Sequence, residues 1–326
     1  MRKNKIIYII VTITVLIIGI IVFTNLFNSK SNKDGNRCGD NAFFEYDKDT
    51  HTVTITGIGI VDLTKEPHYL NENMIDRGFG GFHDYEKVGE LIFPPETEKI
   101  IICEGITGIR SKSGAAGEYL VKGGTYENLK EIVLPNTIDE LGIGCFANQT
   151  NLEIINIPNS IKKIPDYAFY NCENLNKVVL PDGIKIIGNY AFYNCDKLYD
   201  INFPKSLRII EQYAFSECAT LQEVKLQNIR YIGRNAFEKC YNLKNVEIYG
   251  DIPELYSYTF DVCLNLRDVK LSNTIKLMAN DTFRNCKVLQ TDSLLENRET
   301  THQYKCSGSE NLKEMQELEK QVLNEK

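Results

Sequence analysis

The chain has 326 residues, 43% hydrophobic and 25% charged, with a formal net charge of −7. This composition belongs to a folded protein and argues against wholesale disorder. The acidic balance argues against nucleic acid as a partner, because phosphate binding needs a basic face. Trp is absent while Tyr (18) and Phe (15) are plentiful, so phenylalanine is expected to carry the core.

Arg2, Lys3 and Lys5 precede an uncharged, mostly apolar run from Ile6 to Phe27. As a helix, its 22 residues would rise roughly 33 Å, enough to cross a hydrocarbon core. A cleavable signal has a shorter apolar stretch and a small-residue exit, and neither is visible here. Residues 1–28 therefore read first as a cytoplasmic stub with a single-pass transmembrane anchor, and second as a cleaved signal. The basic residues in front keep the N-terminus cytoplasmic and put the rest of the chain outside the cell. Lys30, Lys33 and Arg37 weaken that asymmetry within a linker at 29–37.

Residues 38–96 form a small β-rich module. "CGDNAFFEYDKDTHTVTITGIGIVDL" has two alternating stretches around a polar "DKDT", which predicts a β-hairpin. "LIFP" near 91 and "KIIICEGITGI" near 100 have the look of worn first strands, and Ile102, Ile106 and Ile109 match the later Leu180, Ile184 and Ile187. A Gly-rich insertion follows at 111–127, before the pattern resumes at Leu129.

From there the chain is periodic. Phe146, Phe169, Phe192, Phe215, Phe237, Phe260 and Phe283 are spaced by 23, 23, 23, 22, 23 and 23 residues. Cysteines 172, 195, 218, 240, 263 and 286 each follow a Phe by three positions. Within a unit, Leu175, Val178 and Leu180 of "LNKVVL" alternate as a half-buried strand does. Pro181 suits the end of pairing, Ile184 and Ile187 turn inward, Gly188 relaxes the bend and Ala191-Phe192 fills the interior. One such unit buries only about 9–18 kcal/mol of apolar surface. Ordering its backbone costs roughly 1–2 kcal/mol per residue, so a lone unit cannot fold and stacked units must share their faces. Residues 97–290 are thus a solenoid of parallel strands with irregular or short helical returns. Residues 291–326 read as a C-terminal cap. In it, Leu312, Met315, Leu318 and Val322 lie at helical spacing behind a possible N-cap, Ser309. A helix covering the solenoid end is the first reading, with a partner-binding helix or a frayed tail as alternatives.

"IPDYAFYNCENLNKVVLP", "IIGNYAFYNCDKLYDINFP" and "IIEQYAFSECATLQEVKLQ" resemble the BspA-like bacterial surface leucine-rich repeats, whose unit is I-x-x-x-A-F-x-x-C-x-x-L-x-x-V-x-L-P. The match covers about 129 to 289. Gln149 stands where the first unit should have Cys, Gln227 replaces a Pro, and Thr259 and Thr282 replace Ala. The resemblance implies a leucine-rich repeat fold and interaction with host or neighbouring-cell proteins.

Candidates for bond-making chemistry are weak. The regular cysteines lack the short C-x₂-C pairing of zinc sites and read as a column of buried thiols donating weakly to loop carbonyls. Cys38, Cys103, Cys145 and Cys306 stand outside that column, and an extracellular site would permit a disulfide among them. His51, His68, His83 and His302 are scattered, so no metal site and no cofactor are expected. Ser160 and Lys163 match S-x-x-K but lie inside a repeat turn. "RGFGGFHD" (77–84) lacks the strand-then-helix setting of a dinucleotide loop. Asp47 and Asp49 read as a solvated hairpin turn. Asn148 and Asn280 head N-x-[ST] sequences that would accept a glycan in a eukaryotic host.

What remains is surface. The outward positions of the L-x-x-V-x-L strands are Glu131 and Val133; Ile154 and Asn156; Lys177 and Val179; Asp200 and Asn202; Glu223 and Lys225; Asn245 and Glu247; Asp268 and Lys270. This is a mixed, mildly acidic ribbon with an apolar patch at Val133, Ile154 and Val179. Tyr170, Tyr193, Tyr199 and Tyr241 flank repeat edges, as contact anchors or as packing between loops. The sequence therefore points to a non-catalytic cell-surface scaffold that binds a host, matrix or envelope protein, with adhesion as the leading role. The alternative is a structural or regulatory partner of the cell's own envelope proteins.

Overall fold

Each repeat makes one coil with three sides: a front strand, a return strand, and a turn built around the Phe. The structure, a computed structural model, describes residues 38–62, 93–110, 126–290, 299–301 and 309–325. Of the chain's two units, Met1–Arg37 and Cys38–Lys326, all of these belong to the second. The apolar run 6–27, the 77–84 stretch, the insertion at 111–125, Cys306 and three of the four histidines lie outside them. Among the described residues no helix is long and apolar enough to cross a membrane.

The hairpin forms as expected, from β1 (Gly39–Asp47) and β2 (Thr52–Asp62), paired antiparallel. It is fused to the solenoid and supplies the first rung of both ladders. The first half of β2 pairs with β3 (Lys99–Ile102), and its second half pairs with β4 (Ile106–Arg110). One strand can serve two ladders because it bends between the halves, where Gly57 takes φ 127° and lies against the Asn41 backbone. A Cβ there would sit 2.1 Å from the Asn41 carbonyl oxygen. Ile102, Ile106 and Ile109 are buried as the repeat pattern requires. Phe93 and Pro94 of "LIFP" form no strand; Phe93 packs edge-on to Phe44 instead.

The front ladder continues through β5 (Glu131–Val133), β7 (Ile154–Asn156), β9 (Lys177–Val179) and β11 (Asp200–Ile201). It resumes as β13 (Glu223–Leu226), β15 (Asn245–Ile248) and β17 (Asp268–Leu271). Between these lie the return strands β6 (Glu140–Leu141), β8 (Lys163–Ile164), β10 (Ile186–Ile187) and β12 (Ile209–Ile210). β14 (Tyr231–Ile232), β16 (Glu254–Leu255), β18 (Leu277–Ala279) and β19 (Glu299–Thr301) complete them. All pairings beyond the hairpin are parallel, with equivalent residues opposite each other, as in Ile164↔Ile187↔Ile210. Gly188 does more than relax a bend. A Cβ on it would lie 2.7 Å from the Asp166 backbone nitrogen, so glycine lets consecutive coils approach.

The turn side explains the recurring Asn-Cys pair. The six Phe rings from Phe146 to Phe260 are fully buried and stack on one another, and Phe283 continues the column, at centroid spacings of 5.1–5.4 Å. Backbone N–H groups climb the same step: Phe169 N–H to Ala191 O and Asn171 N–H to Tyr193 O are repeated coil after coil. Aligning them requires left-handed residues two before and two after the Phe, as at Tyr190 (φ 55°) and Asn194 (φ 54°). Asn tolerates that conformation better than most residues. Its amide also bonds along the column, Asn171 to Asn148 at 3.0 Å and Asn194 to Asn171 at 3.2 Å. The following Cys is buried and donates its thiol to the carbonyl of the Phe one coil earlier, as Cys195 does to Phe169 O at 3.2 Å. The same contact recurs at Cys172, Cys218, Cys240, Cys263 and Cys286. Gln149 takes the Cys position of the Phe146 coil and bonds differently; its amide oxygen accepts the Tyr126 N–H at 3.0 Å.

The C-terminal helix α1 (Ser309–Asn324) is present, but its contacts are not those of an end cap. Val322 is fully buried against Ile186 and Ile209, with Met315, Leu318 and Tyr231 half-buried around them. The helix lies on the outer side of the return ladder across β8 to β14, several coils back from the end. Lys163 pairs with Glu319 at 3.0 Å, and Lys185 donates to the carbonyls of Val322 at 2.9 Å and Leu323 at 3.3 Å.

Beneath the helix, Glu211 takes a position that Gly188 and Gly233 hold in adjacent coils. Its Oε2 accepts the Asn189 N–H at 3.0 Å, while its buried Oε1 meets no donor nearer than Lys163 at 3.9 Å. Burial, reinforced by the facing Glu319, pushes its carboxyl up to about 9. Glu319 is held low: burial opposes ionisation, but bonds from Glu211 and Lys163 outweigh it. The two carboxyls face each other, so the pair holds a proton to higher pH than an isolated carboxyl would.

Two outcomes are expected. Val262 is the β-branched member of the left-handed column, with φ 58°, a conformation that costs an L-residue roughly 1–2 kcal/mol. Val262→Asn should raise stability by about 1 kcal/mol in urea titrations; an unchanged or lower midpoint would refute the strain. For Glu211, the folded carboxyl keeps its proton where an unfolded one loses it. Its contribution is therefore complete in acid and lost as pH rises from the ordinary carboxyl range to about 9. Glu211→Gln removes that loss. Thermal melts should show the variant gaining on the wild type from pH ~5 to ~9, and a gap independent of pH would contradict a protonated Glu211.

Candidate protein-binding face

Along the front ladder, side chains alternate by the period of a strand. Ile132, Ile155, Val178, Val224 and Val246 are buried, and their neighbours form two outward rows. Backbone register places Lys99, Glu131, Ile154, Lys177 and Asp200 in one row. The second carries Val133, Asn156, Val179 and Asn202 from neighbouring strands. Further along, Glu223, Asn245 and Asp268 align, as do Lys225, Glu247 and Lys270. The expected outward residues are thus brought onto one face. Glu131, Val133, Asn245 and Glu247 are half-buried and the others exposed.

Most of the charges are paired in place. Lys99 meets Glu131 at 2.8 Å, Lys177 meets Asp200 at 2.6 Å, Lys225 meets Glu223 at 2.8 Å and Lys270 meets Glu247 at 2.9 Å. The Glu247 carboxyl is held below its ordinary range by the Lys270 hydrogen bond. At this exposure such pairs contribute little stability; they cancel most of the local field. Two residues are already engaged. Asn156 bonds both backbone groups of Leu134, at 3.0 and 2.9 Å, and Asn202 bonds those of Leu180, at 2.7 and 2.8 Å. Each extends the ladder where the next residue is a Pro. What is left uncommitted is the apolar patch, with Ile154 54% and Val179 57% exposed.

Other candidates resolve into structure. Tyr170 and Tyr193 stack at 5.1 Å beside a second column, Tyr167, Tyr190 and Tyr213, at 5.0 and 4.7 Å. These half-buried rings pack against one another on the turn side, whereas Tyr199 and Tyr241 are exposed. Ser160 donates its hydroxyl to Ile138 O, and Lys163 is engaged by α1, so the S-x-x-K match is no nucleophile pair. Asp47 Oδ1 accepts the Asp49 N–H at 2.8 Å and the Thr50 N–H at 3.4 Å, closing the hairpin turn. Burial pushes the thiols of Cys172, Cys195, Cys218, Cys240 and Cys263 far up, which makes them unreactive. Cys286 is shifted down, chiefly by a hydrogen bond from Cys263. Cys103 and Cys145 carry free thiols. Asn148 is buried at a left-handed φ, and Thr282 of the other N-x-[ST] sequence is 1% exposed. No metal-ligand cluster occurs among the described residues.

Six copies of the BspA type leucine rich repeat region match residues 124–229 and 210–322. No curated protein matches the chain. Among solved structures, a leucine rich repeat protein of T. pallidum aligns at 20% identity over 82% of this chain and 98% of its own, with a TM-score of 0.49. A leucine-rich repeat protein of Eubacterium ventriosum aligns at 15% identity over 83% and 96%, with a TM-score of 0.29. A leucine rich cell surface protein of Faecalibacterium prausnitzii aligns at 14% over 82% and 95%, with a TM-score of 0.24.

The face separates scaffold from surface in a way that stability can read. Asn156→Ala orphans two backbone groups of Leu134 and should cost about 1–3 kcal/mol. Ile154→Ala, on exposed surface, should stay within ~0.5 kcal/mol of the parent. Urea midpoints measure both, and a large loss for Ile154→Ala would mean that this side chain holds the coil together.

Proposed function

The chain belongs to the BspA-type leucine-rich repeat family, and we propose that it works as a non-catalytic cell-surface scaffold whose front sheet grips a protein partner. The observation that carries this reading is the pairing of an exposed Ile154–Val179 patch with charges already neutralised by their neighbours. A partner covering this ribbon desolvates ion pairs rather than lone charges, while the apolar centre supplies the favourable area. That division into apolar centre and polar rim is the usual anatomy of a protein interface. Seven front strands at ~4.8 Å extend roughly 35 Å, a span suited to a protein and too flat for a small molecule.

The scaffold is held at the membrane in a single pass by the apolar run from Ile6 to Phe27, with the repeats outside the cell; cleavage of that run would instead release it. The partner is a host, matrix or envelope protein, and adhesion is the role that fits a tethered binding face.

The test is a binding screen of the chain against extracellular-matrix and envelope proteins, beside a variant carrying Ile154→Lys and Val179→Lys. Circular dichroism should show both equally folded. Saturable binding should fall at least tenfold in the variant; binding that survives the two lysines would move the site off the front sheet.

A further inference from the structure

A second outward face carries a more specific message. In each return strand one residue points into the core and its neighbour points out. The outward residues are, in order, Glu140, Lys163, Ile186, Ile209, Tyr231, Glu254 and Leu277. On a bare solenoid this row faces water, yet Ile186 and Ile209 are 0% exposed, because Val322 of α1 lies against them. Preceding the apolar trio are Lys185, Arg208 and Arg230, one per coil. These cations meet the C-terminal end of the helix. Lys185 takes its last carbonyls, and Arg208 and Arg230 pair with Glu325 at 3.6 and 2.5 Å. Positive charge there complements both the orphan carbonyls and the helix dipole.

The strip has ends as well as a centre. Glu140 on one side and Glu254 on the other replace the basic and apolar residues, so an acidic helix is repelled beyond the four coils it covers. Among its described side chains, α1 contributes Val322 fully, with Met315 and Leu318 in part. No backbone ladder passes through it, so it can leave without breaking a coil. Sixteen residues are also marginal as a free helix, so the strip is what orders it.

We propose that the outer face of β8–β14 is a receptor strip for an acidic amphipathic helix. α1 is its built-in occupant, which a partner helix of the same chemistry displaces. The geometry specifies that partner: apolar residues at the spacing of Met315, Leu318 and Val322, a carboxylate at the place of Glu319 to meet Lys163, and a helix end with a carboxylate to meet Arg208 and Arg230. The strip lies on the return ladder and is independent of the front-sheet reading.

The experiment uses the full chain and, as probe, a labelled synthetic peptide of residues 309–326. Two variants open the latch by different means. Val322→Asp removes the apolar anchor, and Glu325→Arg sets like charges against Arg208 and Arg230. Far-UV circular dichroism and a thermal melt check that the coils persist. The peptide should bind either opened chain at least tenfold more tightly than the wild type, and weaken as salt rises. Adding Arg230→Glu to an opened chain should lower peptide affinity by a further tenfold or more. Equal binding to open and closed chains, or none to both opened variants, would overturn the proposal.

Discussion

Everything in this molecule depends on a single axial step being kept at three places at once. A phenyl ring must stack on the ring of the next coil at 5.1–5.4 Å, while the front and return strands pair with their equivalents at the strand spacing. Agreement between these steps lets a unit that cannot fold alone hold its neighbours. The thiol-to-carbonyl contact and the Asn-to-Asn amide column follow the same step, since each residue reaches one coil away. Their regularity is a consequence of translation.

The one shortened unit shows how far the constraint reaches. Between Leu226 and Ile229 the chain loses a residue where other coils place Pro, and Asn228 turns left-handed at φ 61° to close the gap. The next coil then approaches so closely that a Cβ on Gly250 would lie 2.1 Å from the Ile229 carbonyl. Beyond this point the rings are back in step, 5.3 Å from Phe237 to Phe260. The deletion is absorbed in the turn and never transmitted to the core.

A scaffold fixed by translation leaves its outward positions free to vary, and this chain uses its two ladders differently. The front rows carry paired charges around a small bare apolar patch. The return row carries a basic, apolar strip that the chain's own helix already covers, with buried Glu211 facing half-buried Glu319 of the helix. Both faces follow the same alternation of inward and outward residues. They differ in whether a partner is already present.

The solenoid, its hairpin start, the buried Phe and Cys columns and the front ribbon were legible in the sequence. Each is a local consequence of period: alternate residues of a strand face opposite sides, and a 23-residue beat repeats the same environment. The helix at 309–324 was legible too, from its spacing, but its place was not. Spacing says that Met315, Leu318 and Val322 share a face and says nothing of what that face meets. The clue lay elsewhere, in paired isoleucines at 186–187 and 209–210, where the coils at Glu140, Lys163 and Glu254 put a charged residue before the inward Ile or Leu. Those outward apolar residues and the cations beside them lie about a hundred residues from the helix that covers them. Only the folded coil brings them together. The same holds for Asn156 and Asn202, whose side chains read as surface until the preceding coil supplies a backbone to bind. Period fixes which way a residue points; tertiary contact across coils decides whether it is already taken.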